Sequence, residues 1–108
     1  MTAKEARVKS DTVRNAQMQA AKEVALSEWD GSLVPKIDKA CKVGDYSISY
    51  GWDAAFMNNK QVHPYDFQDA IIAVCENLGY AAKVSCDHHC GAVVKTYIEL
   101  SWKGEGNE

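Results

Sequence analysis

GYAAKVSCDHHCGAVVKTYIELSW, residues 79–102, decides the fold. Its second half alternates: Val94, Thr96, Ile98, Leu100 and Trp102 point one way, and Lys95, Tyr97, Glu99 and Ser101 the other. Successive side chains of a strand face opposite sides of a sheet, so the pattern describes one dry face and one wet face. In its first half Tyr80, Ala82, Val84 and Cys86 oppose Ala81, Lys83, Ser85 and Asp87. Both apolar sets sit at even positions, so paired residues must have an even sum, or one strand would turn its apolar face to water. Two hairpin registers meet this condition. One sets Cys86 opposite Cys90 across Asp87-His88-His89; the other sets Cys86 opposite Ala92 and leaves a longer loop.

Working outward, Phe67, Ala70, Ile71, Val74, Cys75 and Leu78 recur at helical spacing, with Pro64 in the first turn and Gly79 at the exit. Asp66 and Asp69 read as residues placed at the positive end of that helix. Tyr46, Ile48, Tyr50 and Trp52 alternate with Ser47, Ser49 and Gly51, which predicts a first strand with a covered aromatic face. Between this strand and the third helix a loop is expected, with one irregular helical turn around Ala54 to Met57 and a turn at Asn58-Asn59.

Thr2 and Glu5 fit a capping box that opens a long helix running to about Trp29. Its first part, to about Arg14, is polar nearly all round and is expected to fray, project or pack on a partner chain. Asp30-Gly31 reads as a break, with Ser32 capping a second helix and Pro35 in its first turn. A single helix kinked near Pro35 is the alternative. Leu33, Val34, Ile37, Ala40 and Cys41 form the expected buried stripe. Cys41 and Cys75 are read as small core residues.

The order α-α-β-α-β-β predicts an α+β fold: a three-stranded, mainly antiparallel sheet in the order 1-3-2, with helices packed on one face. Residues 1–102 form one domain, with residues 1–14 as a projecting segment and 103–108 as a polar tail. With 108 residues, 46% hydrophobic and 25% charged, the chain matches a globular domain of ordinary composition. A net charge of −3 and the absence of a Lys/Arg block argue against general nucleic-acid binding. No run is long and apolar enough for a membrane span, and MTAKEARVKSD has no apolar signal-like region, so the expected location is intracellular, in the cytoplasm.

Cys86, His88, His89 and Cys90 are the candidate metal ligands, with zinc as the metal their chemistry would suit and His63 as a fourth donor. Four donors in one turn are too crowded for a tetrahedral site. The plain reading is a pair of half-buried thiols beside two exposed histidines. The CxxxC spacing in a hairpin is unlike a redox CxxC at a helix N-terminus. No Gly-rich phosphate loop or nucleophilic triad is present, and no catalytic residue is assigned. Trp29, Trp52, Phe56, Tyr97 and Trp102 are the candidate partner-binding residues, since exposed aromatics favour protein contact. Their plain reading is a rim closing the core.

MTAKEA at the start, ACKVGDYSISY leading into the first strand, ENLGYAAKV after the third helix and the closing ELSW resemble stretches of a diffuse group of small proteins of tailed bacteriophages and prophages. The resemblance covers most of the chain and rests on structural motifs; the Cys86–Cys90 turn is not part of it. It implies a phage setting, as a minor virion component or an inhibitor of a host factor, located in the host cytoplasm or the virion. The expected function is a non-catalytic protein-interaction module whose partner is a host or virion protein or a second copy. The alternative is a small metal- or ligand-binding module using the hairpin turn.

Overall fold

A computed structural model describes residues 1–53, 56 and 59–103, with only the backbone for His89, Ala92 and Val94. The expected turns at Ala54, Ala55, Met57 and Asn58, and the tail beyond Lys103, lie outside the described residues. The sheet is built from β1 (Ser47–Asp53), β2 (Ala81–His89) and β3 (Ala92–Ser101) in the order β1-β3-β2. β3 is antiparallel to both neighbours, with Tyr50 and Val84 on either side of Ile98. The alternation explains this placement. Ile98 and Leu100 are fully buried under the helices, while Lys95 and Glu99 are exposed on the opposite face. Neighbours cover both flanks of the central strand, so Ile98 and Leu100 are fully buried, while Tyr50 and Trp52 on the edge strand β1 keep slight exposure.

The helical layer comprises α1 (Ala3–Glu28), α2 (Val34–Lys42) and α3 (Pro64–Asn77). Thr2 caps α1 by accepting from the Glu5 N–H at 3.1 Å; Glu5 answers by accepting from the Thr2 hydroxyl at 3.2 Å. α3 ends as expected. Gly79 takes φ +94°, and the Tyr80 and Gly79 N–H groups donate to the carbonyls of Cys75 and Glu76, closing a Schellman motif. Phe67, Ile71 and Cys75 from α3 and Leu33 from the α1–α2 junction meet Ile98 and Leu100 in one core cluster. Fully burying each large apolar side chain contributes about 1.5–3 kcal/mol. Among the described residues, no helix is long and apolar enough to cross a membrane.

Four expectations are corrected. The break at Asp30-Gly31 does not occur: Trp29–Leu33 forms a π-helical turn that carries α1 directly into α2. The Val34 N–H donates to the Trp29 carbonyl, one residue further back than in an α-helix. The extra residue makes room at Pro35, whose ring would otherwise strike the carbonyl four residues earlier. Ser32 donates to Glu28 Oε1 at 3.1 Å and caps nothing.

The second correction concerns the buried stripe. Leu33, Ile37 and Ala40 are buried, but Val34 and Cys41 are exposed. Each follows an inward residue by one position, which turns it about 100° round the helix. Leu78, in the exit turn of α3, and Tyr46, just before β1, are exposed for a related reason: each lies past the end of its element.

The third correction is the hairpin register. Cys86 lies opposite Thr96, and the strands continue to His89 opposite Ala92. The loop is only Cys90-Gly91, with φ +52° and +81°. Such a two-residue turn with both residues left-handed matches the twist of the strands, and Gly91 takes its place without strain. A bulge between Asp87 and His88, with Val94 as the extra residue of β3, shifts the pairing by one before the turn. The even-sum rule therefore holds in the sheet and fails only beyond the bulge.

The fourth correction concerns Asp66. It is more than a helix-start residue: it is buried and takes both guanidinium nitrogens of Arg14, each at 3.0 Å.

Candidate functional site

The chemistry-bearing residues converge where the end of β1, the start of α3 and the root of the hairpin meet. Trp52, Asp53, His63, Tyr65, Cys86 and Lys95 line a cleft there of about 260 Å³. Each is set by local structure. Asp53 closes β1 by accepting the Phe56 N–H at 2.9 Å. His63 is the N-cap of α3, where its Nδ1 accepts the Tyr65 N–H at 3.2 Å. That bond places the proton of the neutral imidazole on Nε2. Cys86 is exposed, and its thiol contacts Thr96 Oγ1 across the strands at 3.9 Å. Lys95 lies between Asp53 and Asp87 on the neighbouring strands, with its Nζ 5.2 Å from the Tyr97 ring centroid.

His63 and Cys86 thus share a cleft, but each hydrogen bond they make goes elsewhere. A thiol activated by an imidazole needs a bond between the two. Cys90 is four residues further along, about 13 Å away if the chain is extended, and faces solvent in the turn. His88 is exposed in β2 beyond the bulge. Among the described residues, no three His, Cys, Asp or Glu side chains come together to hold a metal ion.

The aromatic candidates separate. Trp52 is only 4% exposed and packs edge-on against Phe67 at 5.0 Å, so it belongs to the core. Phe56 is half-buried against the same Phe67. Trp29 and Trp102 flank Tyr80 at 5.4 and 6.0 Å, forming an aromatic rim at the end of the sheet. Tyr97 stands on the face away from the helices. A Cβ on Gly51 would lie 2.7 Å from its Cδ1, so the ring occupies the space a side chain on β1 would take. The Asp87 carboxylate on the same face raises its phenol pKa.

Two polar links escaped the sequence reading. The Arg14–Asp66 pair joins α1 to the first turn of α3, and the guanidinium holds the Asp66 carboxyl below its usual range. Glu28 accepts from Tyr50 at 2.7 Å and from Ser32 at 3.1 Å, tying β1 to the π turn. Burial, then the bond to Glu28, raises the Tyr50 pKa. The signal was periodicity: Arg14 and Glu28 each lie seven residues from Ala21, on the face that docks.

Burial on α1 begins only at Ala21; residues 1–20 are all exposed, and Arg14 anchors them to Asp66. Ahead of that anchor, helical residues 3–13 form an arm about 16 Å long at 1.5 Å per residue. It carries Lys4, Arg7 and Lys9 against Glu5 and Asp11, a positive arm on a chain of net charge −3. Comparison with protein-family models, with curated proteins and with solved structures finds no match.

Proposed function

We propose that this chain is a non-catalytic protein-interaction module that works through the projecting first half of α1. The observation that carries this reading is the exposure of residues 1–20 in a helix continuous with the docked part of α1. A helix that buries nothing gains little from its own hydrogen bonds and is marginal in isolation. Here Arg14 clamps it to Asp66, which fixes its direction. A fixed arm loses less entropy on binding than a floppy one. Its excess of Lys and Arg suits a partner with an acidic surface, and Val8 and Val13 add exposed apolar contacts. The resemblance to small tailed-phage proteins points to a virion or host protein as that partner.

The test compares the full chain with one lacking residues 1–12, both immobilised and exposed to host extract. A partner identified by mass spectrometry, lost on truncation and also lost in K4E/R7E/K9E, supports the reading. Equal capture by the truncated chain refutes it.

A second reading follows from the cleft: a small-ligand or metal site at the root of the hairpin, with His63 and Cys86 as its polar groups. It moves the alternative expected from sequence away from the turn itself. A melting temperature that rises with zinc in wild type, and not in H63A/C86S, supports it; no response in wild type sinks it.

A further inference from the structure

We infer that β2 is a self-complementary edge, and that two copies of this chain pair antiparallel along it about a two-fold axis at Ser85. The proposal does not depend on the arm. Its starting point is an asymmetry between the two sheet edges. On β1, Lys36 Nζ of α2 donates to the Ser49 carbonyl at 3.2 Å, so a helix side chain guards that edge. Among the described residues, no hydrogen bond from outside the sheet reaches β2. Its backbone is a nine-residue edge without proline, and such edges recruit a further strand unless they are blocked.

The sequence of β2 then selects the partner. With Ser85 opposite its own copy, Lys83 lies opposite Asp87 of the second copy, and Asp87 opposite Lys83. This register has an even sum, so both copies keep their helices on the same face of a six-stranded sheet. On that face Val84 meets Cys86 of the second copy and continues the half-buried row of Ala82 and Val84.

On the open face the charges extend one already present. Within one copy, Glu99 is opposite Lys83, and Lys95 lies between Asp87 and Asp53. Across the axis the row becomes Glu99, Lys83, then Asp87, Lys95 and Asp53 of the second copy. The signs alternate at every step. Opposite charges directly across a strand pair are favourable and like charges unfavourable. A two-fold interface must be complementary to itself, and this edge is. Shifting the axis to Val84 would place Lys83 opposite Ser85 and lose the pairing.

Sedimentation velocity of the full chain over a wide concentration range tests this. A monomer–dimer equilibrium is expected, with K83D and D87K each weakening the dimer by about tenfold or more and K83D/D87K together restoring it. S85K, which sets like charges across the axis, should abolish the dimer while leaving the monomer's melting curve in place. A wild type that stays monomeric at millimolar concentration overturns the proposal. So does a dimer that S85K leaves intact, or one that the double reversal fails to restore. The chain lacking residues 1–12 should dimerise like wild type, so failure of the arm and failure of the edge are told apart.

Discussion

Replacing Tyr50 by Phe removes one oxygen and no carbon, so it isolates the link between β1 and the helical layer. Tyr50 is 7% exposed, and its hydroxyl donates at 2.7 Å to a carboxylate that also receives Ser32. Hydrogen bonds to charged groups contribute about 1.5–3 kcal/mol. The lower end applies here, because Glu28 is only half-buried and keeps Ser32 after the change. A loss of about 1.5 kcal/mol follows, or on the order of 6–10 °C in Tm for a domain of this size. Urea unfolding followed by circular dichroism would measure it, in wild type and in an E28A background. In that background the same substitution should cost under about 0.5 kcal/mol, since the acceptor is already gone. Equal losses in the two backgrounds would refute the reasoning: Tyr50 would then act by packing alone. The phenol also titrates. Its folded pKa is raised, so its contribution is complete below the ordinary tyrosine pKa and is lost as pH rises through the folded value. Y50F should remove that part of the alkaline destabilisation.

Ellman's reagent should label Cys41, Cys86 and Cys90 in the native protein and reach Cys75 only on unfolding, because Cys75 is fully buried. Burial pushes the Cys75 thiol from its usual 9.0 up to about 11, so stability should fall as pH rises between these values, and C75A should flatten that fall. D66N should lower Tm by a few degrees and speed amide exchange in α1 on both sides of Arg14; unchanged exchange would mean that the ion pair does not hold the arm. The Asp66 carboxyl has a depressed pKa, so this contribution is present above the usual carboxylate range and is lost as acid brings the pH down through the folded value. I98A, at the centre of the buried row, should cost about 2–5 kcal/mol in chemical unfolding.

Much of the fold was legible because periodicity is a local property. Ile98 and Leu100, or Phe67, Ala70, Ile71 and Cys75, declare their faces without reference to anything distant. The same reading failed where a residue's neighbour in space decides its state. Cys41 and Val34 match the stripe in composition, but each lies one position past a residue that faces the core. Asp66 satisfied a helix-start rule completely, which hid its pairing with Arg14 fifty-two residues earlier. Gly31 and Pro35 looked like a stop, yet one extra residue in the helical turn relieved the clash at less cost than breaking the chain.

The Cys86–Cys90 stretch divides the two kinds of knowledge most clearly. Local pattern alone shows that two strands meet there, which face of each is dry, and that the pairing sum must be even, because burial punishes any other choice. It could not choose among even sums, since each buries the same residues. Tertiary structure chose a two-residue turn and let a bulge absorb the mismatch in parity. That choice moved Cys90 out to the tip, brought Cys86 beside His63 at the root, and left the outer edge of β2 uncovered. Distances across a fold depend on where every other element packs, and no local pattern records them.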